Sequence, residues 1–381
     1  MVIRRRIAVL FLAALLALLL LNWFHPRSKT SESPTGFEIE LITFWGNFSV
    51  ALKDAAPPVP LPNKHVEAMI NPYDGRNRAM FNHRQDLIDL SDEHVQLLRA
   101  SHTQYVEIAR ELAPKLPYQQ GSKGIAVTAS GEWVPELVVS LKILRNSGST
   151  LPVEVFIEFP EVYEPSICSI VLPSLNARCI LFSSILNSTH SNFTVSKYQL
   201  KPFALLFSTF DSVLLLDADN LAVQPPEDLM TAAPFNTTGL IIWPDYWANT
   251  ASPLFFSIAS IPTISSAGDR ASTDSGQVLL SKSKHALTLL LIAYYNVYGP
   301  SHYYPLLSQG AVGQGDKETY LAAAMALNAP FYDVKTPILQ LGFHPKGPGV
   351  AKMQHNAPTI GGKHASASTQ HDPRGSLRAR I

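Results

Sequence analysis

Two carboxylates stand two residues apart behind a run of leucines, in the segment LLLDADN from Leu214 to Asn220. Asp217 and Asp219 offer the oxygen ligands that a hard divalent cation, Mn²⁺ or Mg²⁺, prefers. Such an ion usually shares its remaining positions with the phosphates of a substrate. The pair is therefore a candidate metal site, and Asp217 is also a candidate ligand of a nucleotide.

Two other interpretations of the tetrapeptide DADN stay open. Asp and Asn favour turns, so DADN before LAVQPPEDL can be a plain strand-to-turn connection. Phosphohydrolases of the haloacid-dehalogenase kind also carry Asp-x-Asp after an apolar strand, where the first Asp is a nucleophile and the second an acid or base. Those proteins carry the motif on their first strand, whereas here a long α/β stretch from Gly124 precedes it. This position favours a transferase whose early strands bind a nucleoside.

Two lysines and one aromatic segment offer further ligands for a substrate. Lys197 and Lys201 have helical spacing, so both ammonium groups can share a face and reach a diphosphate, or both can simply be solvated. In WPDYW, aromatic rings can stack on a sugar while Asp245 accepts hydrogen bonds from its hydroxyls. Core packing of the same rings is the alternative.

Two glycine-containing segments complete the set of candidates. In DSGQ, Gly276 lets the backbone approach a donor substrate and Gln277 is polar beside it, although a strand glycine can also mark a bulge. In GQGDKET, Asp316 and Glu318 open a predicted helix, where carboxylates can act as caps. As catalytic residues they would orient an acceptor hydroxyl and stabilise positive charge on a sugar.

The apolar pattern after Gly124 predicts the strands and helices that position these residues. Short apolar runs predict strands in GIAVTA, PVEVFIEF, RCILF, SVLLLDAD and GLIIWP, and longer ones predict helices in WVPELVVSLKILRNSG and SKYQLKPFALLFSTF. SGQVLLSKSKHALTLLLIAYYNVY predicts a strand and then a helix, and GDKETYLAAAMAL predicts another helix. The alternation predicts an α/β fold with a mostly parallel sheet. Ligands bind outside the carboxyl ends of such strands, where Asp217 and Asp219 fall.

The ends of the chain predict its topology. Three arginines before an apolar run that begins at Ile7 predict a cytoplasmic tail and a signal-anchor transmembrane helix over residues 1–24. A cleaved signal peptide is the alternative, but no small-x-small cleavage site follows. We expect a single-pass type II membrane protein with a stem over 25–90, a luminal domain over 91–358 and a tail over 359–381 without regular structure.

The composition of the chain limits which binding partners and which cellular compartment we expect. Thirty basic side chains balance thirty acidic ones, so no overall field favours a nucleic acid, and an anion needs a local site. Asn47, Asn187, Asn192 and Asn236 each begin a glycosylation sequon, which agrees with a luminal domain. Two cysteines, Cys168 and Cys179, can pair there or remain as buried thiols.

Four blocks in this order and spacing resemble the fungal Golgi α-mannosyltransferases that branch the outer chains of N-linked mannan: KYQLKPFALLFSTFDSVLLLDADNLAVQPPEDL, TGLIIWPDYW, DSGQVLLSKSKH and GQGDKETYLAAAMAL. The resemblance covers about Gly124 to Pro358. It implies a GT-A-like fold, GDP-mannose as donor, Mn²⁺ as cofactor, and transfer to a mannoside or N-glycan acceptor with retention. It also implies Asp217 and Asp219 as the metal and nucleotide pair.

The chain departs from the family's pattern near its C-terminus. Relatives usually continue past a Gln-Tyr/His-Asp-Pro block into a segment with His-x-Asn and a following Lys, whereas here a polar tail follows Gln354-His355-Asn356-Ala357-Pro358. Two alternatives to an α-mannosyltransferase therefore stay open. One is a weakened or inactive luminal paralogue that acts as a binding or scaffold protein, and the other is a transferase that uses another sugar nucleotide.

Overall fold

The computed structural model describes residues 35–58, 61, 86–129, 131–189, 193–262, 270–311, 313–336, 338–342, 350–355 and 365–368. The chain divides into a short unit, Met1–Glu38, and a large unit, Ile39–Ile381, which contains every residue of the candidate site described below. The predicted transmembrane helix over 1–24 lies outside the described residues. Among the helices that are described, none is both long and apolar enough to cross a membrane.

The strands of the described residues are β1 (Gln119–Thr128), β2 (Val153–Ile157), β3 (Ala177–Leu181), β4 (Phe210–Asp217), β5 (Asn220–Ala222), β6 (Leu240–Ala248), β7 (Ala271–Ser281), β8 (Tyr332–Asp333), β9 (Leu339–Gly342), β10 (Val350–His355) and β11 (Ala365–Ser368). The α-helices are α1 (Gly36–Asp54), α2 (Asp92–Leu112), α3 (Val134–Asn146), α4 (Leu172–Ser174), α5 (Phe182–Leu186), α6 (Leu200–Phe207), α7 (Phe235–Thr238), α8 (Pro253–Ile258), α9 (Lys282–Val297), α10 (Tyr304–Ser308) and α11 (Thr319–Ala326).

A seven-stranded sheet in the order β3-β2-β1-β4-β7-β6-β8 forms the centre of the large unit. Strands β3, β2, β1 and β4 are parallel to one another, and β6 is parallel to β8. Only β7 runs against its neighbours β4 and β6 within this sheet. The predicted α/β fold with a mostly parallel sheet is therefore confirmed, and every strand and helix predicted after Gly124 overlaps an observed one.

Both faces of the sheet are covered, which explains why its strands read as nearly continuous apolar runs. One face packs against the apolar side of α3, where Leu137, Leu141 and Leu144 join the same buried cluster as Val127 and Leu214. Helices α6 and α9 contact β4, and α9 also contacts α11. The strand ends are held between these layers, so side chains just beyond them have fixed positions.

The part of helix α1 from Ile39 onward packs within the large unit, although the stem predicted for residues 25–90 did not anticipate it. Trp45 and Phe48 are completely buried. The Trp45 ring meets the rings of Phe203 and Phe207 on α6 edge-on, with centroids 5.9 and 5.6 Å away. The Trp45 indole N–H donates to the carbonyl of Leu186 at 3.2 Å. From Ile39 onward this helix is part of the folded unit.

A smaller sheet and a disulfide complete the described part. Strands β5, β11, β10 and β9 form a four-stranded sheet, in which Ser368 pairs with Asn220. Strand β11 lies in the segment predicted to lack regular structure. Cys168 and Cys179 form a disulfide with their Cα atoms 5.5 Å apart, which decides between the two alternatives that the sequence left open.

Candidate active site

A cavity of about 570 Å³ lies at the carboxyl ends of β1, β2 and β4. Six of the described residues that line it are carboxylic acids: Glu158, Asp217, Asp219, Asp245, Asp274 and Asp316. Three lysines, Lys197, Lys201 and Lys317, line it as well. The acids outnumber the bases two to one, which suits a site that binds a divalent cation together with an anionic substrate.

The first aspartate of the DADN segment is paired with a lysine from α6. The Lys201 ammonium lies 2.7 Å from Oδ1 of Asp217. Burial alone would lower the pKa of Lys201, but the negative charges of Asp217, Asp316 and Asp274 outweigh it and hold this pKa above its ordinary value. Lys201 is therefore a fixed positive charge inside the cavity.

Gly276 on β7 leaves room beside this pair. A Cβ atom at Gly276 would lie 3.0 Å from Oδ1 of Asp274 and 3.5 Å from Oδ2 of Asp217. The Gly276 N–H donates to Asp274 Oδ1 at 2.7 Å, and the Asn220 side-chain amide donates to the Gly276 carbonyl at 3.1 Å. The glycine predicted to allow a close approach lies opposite the first aspartate.

The carboxylates of Asp217 and Asp219 suit a metal ion that takes only a few of its ligands from the protein. Within the described residues, no group of three or more His, Cys, Asp or Glu side chains is arranged to hold a metal. Asp217 and Asp219 line the same cavity and are offset by one residue at a strand end. Oxygen ligands from one or two carboxylates, with the rest from phosphates and water, are typical for Mg²⁺. The pair matches such a site.

Asp316 is a buried carboxylate in the cavity wall. Its Oδ1 accepts a hydrogen bond from the Ser275 hydroxyl at 3.0 Å, and its Oδ2 accepts one from the Tyr320 hydroxyl at 2.9 Å. Burial raises the pKa of Asp316 to about 6, against the opposing effect of the Lys201 charge. Asp316 therefore keeps its proton to a higher pH than an ordinary aspartate, as is common for carboxylates at functional sites.

Asp245 faces the cavity beside a lysine that the sequence did not single out. The Lys317 ammonium lies 3.5 Å from Asp245 Oδ2 and donates to the Ser272 hydroxyl at 3.2 Å. Lys317 is buried, and its stem packs against Gly313, where an added Cβ would lie 2.7 Å from Nζ. The loop after α10 thus brings a second ammonium into the site.

Other predicted residues lie at the edge of the cavity or outside its described lining. Lys197 lines the cavity but is exposed, and only Lys201 approaches Asp217. Glu318 accepts hydrogen bonds from the Thr273 N–H and the Asn249 amide, at 2.7 and 2.9 Å. It makes no side-chain cap for α11. Gln277 is buried in β7 and is not among the described residues of the cavity wall.

The first residue of the aromatic segment WPDYW packs in the hydrophobic core. Trp243 is completely buried within the cluster that packs on α3, so the structural interpretation holds for this ring. Trp247 is partly exposed, and the side chain of Tyr246 lies outside the described part. Among the described residues of WPDYW, Asp245 is the one that lines the cavity.

Three charged residues of the cavity were missed from the sequence although each carries a weak signal. Asp274 opens the DSGQ segment, and Lys317 lies between the two acids of GQGDKET. Glu158 follows directly after β2, at the carboxyl end of a strand, where ligands of parallel sheets bind. Their proximity arises from tertiary contacts between distant segments, which spacing along the chain does not reveal.

A mostly parallel α/β sheet with an Asp-x-Asp pair in the cavity at its strand ends is an arrangement typical of glycosyltransferases that use a sugar nucleotide. The chain belongs to the mannosyltransferase family, whose sequence profile matches residues 122–269 and 263–364. The family resemblance predicted from the four sequence blocks is therefore confirmed.

Individual relatives agree with this assignment. The chain is 37% identical over 317 residues to alpha-1,2-mannosyltransferase MNN2 of Saccharomyces cerevisiae, covering 74% of this chain and 53% of that protein. It is 38% identical over 283 residues to alpha-1,2-mannosyltransferase MNN24 of Candida albicans, covering 65% and 40%. The chain thus spans about half the length of these curated relatives.

Solved structures give a weaker likeness. An active-site mutant of LgtC superposes with a TM-score of 0.37 and 13% identity, over 55% of this chain and 72% of that one. A superposition at this level supports no conclusion about chemistry.

Proposed function

We propose that this protein is a Golgi α-mannosyltransferase that transfers mannose from GDP-mannose to a mannose-terminated glycan with retention of configuration. The observation that carries the proposal is the cavity at the strand ends, where Asp217 lies 2.7 Å from the ammonium of Lys201 and Asp219 lines the same wall. The names of the relatives, alpha-1,2-mannosyltransferases, support mannose as the transferred sugar.

Asp217 and Asp219 are the residues that would hold Mn²⁺ or Mg²⁺. When bound, such an ion neutralises charge on the diphosphate leaving group. Lys201 adds a fixed positive charge next to Asp217, and Lys197 at the rim can reach the outer phosphate oxygens. Gly276 leaves space for the diphosphate to approach the first aspartate.

The opposite wall of the cavity would hold the sugars. Asp245, next to Lys317, can accept hydrogen bonds from sugar hydroxyls. Asp316 in its ionised form would stabilise positive charge that develops on the mannosyl ring, and Ser275 and Tyr320 fix its orientation. Glu318 supports this wall through Thr273 and Asn249.

The protein is proposed to be anchored by the N-terminal apolar segment, with its folded part in the Golgi lumen. Three sequon asparagines in the described part, Asn47, Asn187 and Asn236, are exposed, as glycan acceptors must be. The disulfide between Cys168 and Cys179 also suits an oxidising compartment.

The test is a transfer assay with the full chain, GDP-mannose, an α-mannoside acceptor and Mn²⁺. The proposal requires a mannosylated product whose new bond has the α configuration by NMR. It also requires that activity is lost without divalent cation and in Asp219→Ala. Turnover with another sugar nucleotide but not with GDP-mannose would contradict the donor assignment.

A further inference from the structure

Glu158 differs from the other acids of the cavity in its surroundings. Asp217 and Asp245 face lysines, while Asp274 and Asp316 accept hydrogen bonds from the protein. For Glu158, burial is the cause that raises the pKa of the carboxyl, and within the described residues its carboxylate has no hydrogen-bond or ion-pair partner. Its carboxylate lies in the cavity wall as an acceptor that a ligand can use.

The position of Glu158 along the sheet separates it from the metal pair. Thr128 on β1 pairs with Asp217 on β4 on one side and with Phe156 on β2 on the other. Two strand spacings, about 10 Å in total, therefore separate the β2 end from Asp217. A nucleoside diphosphate whose phosphates lie at Asp217 would extend its base toward the end of β2.

An aromatic ring also lines the cavity. Trp133 lies a few residues after β1 and is partly buried against the core, with part of its surface in the cavity wall. An aromatic face offers stacking to any base and does not by itself distinguish one base from another. Discrimination between bases must come from polar groups of the same cavity, and Glu158 is one of them.

The chemistry of a carboxylate selects among bases. An ionised carboxylate accepts hydrogen bonds with both oxygens and donates none. Guanine presents two adjacent donors, N1–H and the 2-amino group, so both oxygens can be used at once. Uracil presents a single N–H between two carbonyl oxygens, so the second carboxylate oxygen would face another acceptor.

We propose that Glu158 selects a guanine nucleotide by accepting hydrogen bonds from N1–H and the 2-amino group. This inference rests on the proposed function, in which the donor is a nucleoside diphosphate sugar. It assigns Glu158 as a specificity-determining residue of the donor site.

The test compares GDP with inosine diphosphate, which lacks only the 2-amino group, and with UDP. Affinities are measured by calorimetry on the full chain with Mn²⁺, for the wild type and for Glu158→Gln. The wild type should bind GDP about tenfold more tightly than inosine diphosphate, as expected for one bidentate contact to a base. In Glu158→Gln this ratio should fall close to one.

Glu161→Gln is the matched control, because Glu161 is an exposed acid three residues further along that is outside the described lining of the cavity. It should keep the wild-type ratio. A ratio unchanged by Glu158→Gln would overturn the inference while leaving the proposed function intact, and so would a wild-type ratio near one. If the wild type prefers UDP or binds no nucleotide, the proposed donor is wrong and the inference falls with it.

Discussion

The ammonium of Lys201 lies 2.7 Å from Oδ1 of Asp217, so the positive charge on α6 and the carboxylate at the end of β4 form one unit before any substrate arrives. Lys201 also donates to the Ser275 carbonyl at 3.3 Å, which ties the unit to β7. Preorganised charges of this kind need little rearrangement when a diphosphate leaving group develops negative charge.

Replacing Lys201 with Met should therefore remove most activity. The change leaves Asp217 without its closest positive charge and takes away a cation from the diphosphate. We expect a loss of about a hundredfold or more in kcat/KM, the range seen when one preorganised electrostatic donor is removed. Steady-state kinetics with GDP-mannose would measure it.

Lys197→Met is the comparison for this variant, since Lys197 belongs to the same sequence block but is exposed at the rim. This replacement should lower kcat/KM by at most a few-fold, because exposed charges are screened by water and salt. Equal losses in the two variants would contradict the view that Lys201, unlike Lys197, is built into the site.

Gly276→Ala should impair substrate binding without unfolding the protein. The new methyl group would lie 3.0 Å from Asp274 Oδ1 and 3.5 Å from Asp217 Oδ2, where the diphosphate is expected. We predict a rise of about tenfold or more in the Kd of GDP with Mn²⁺, corresponding to at least about 1.4 kcal/mol. Calorimetry would measure this change.

Gly46→Ala provides the control for a glycine substitution elsewhere. Gly46 lies inside α1, and an added Cβ would meet only the Thr189 methyl group, at 3.7 Å. Alanine should leave GDP binding unchanged and stabilise the helix by about 0.5–1 kcal/mol. If Gly276→Ala binds GDP with wild-type affinity, Gly276 is not needed to leave space for the diphosphate.

Stability should depend on pH through Asp316. Burial raises the pKa of its carboxyl from 3.8 to about 6, so the folded state binds an additional proton between these values. The resulting stabilisation is complete below pH 3.8 and is lost as the pH rises through 6. Relative to Asp316→Asn, the wild type should lose on the order of 2–3 kcal/mol across this window.

Denaturant unfolding of both proteins at pH 4, 5, 6 and 7 would test this dependence. Asp316→Asn removes the titration and keeps a side chain of similar shape for Ser275 and Tyr320. A constant difference between the two proteins across these pH values would show that Asp316 does not titrate as described.

Trp45→Ala should destabilise the whole folded unit. Trp45 is completely buried among Phe203, Phe207 and Phe48, and its indole N–H donates to the carbonyl of Leu186. Truncation of a buried tryptophan typically costs about 3–5 kcal/mol. Val50→Ala, at an exposed position of the same helix, should change stability by less than about 0.5 kcal/mol. Similar small effects at both positions would contradict the assignment of α1 to the fold.

The sheet was predictable because its signals are local. Runs such as those of β4 and β6 are apolar on both faces, and only a covered sheet explains that pattern. Helix α1 was missed for a different reason. Its Leu41, Phe44, Trp45 and Phe48 have clear helical spacing, but they lie in a region whose proline, asparagine and serine content suggested a stem.

The site was predictable only where one short segment carries the chemistry. Asp217, Asp219 and Lys201 come from segments with recognisable spacing, and the structure brings them into one cavity. Glu318 shares a segment with Asp316, yet it accepts hydrogen bonds from Thr273 and Asn249, because side chains two residues apart at the start of a helix point in different directions. Asp274 and Lys317 enter the cavity through contacts between distant segments, which the sequence does not display.

The central claim is that the cavity binds a guanosine diphosphate sugar through a metal held by Asp217 and Asp219. The most direct measurement is the thermal stability of the full chain with Mn²⁺ and GDP together, compared with UDP and with Asp219→Ala. A hundredfold excess of GDP over its Kd should add about 2.7 kcal/mol of stability, only with Mn²⁺ and only when Asp219 is present. No stabilisation by GDP and Mn²⁺, or the same stabilisation in Asp219→Ala, would contradict the claim.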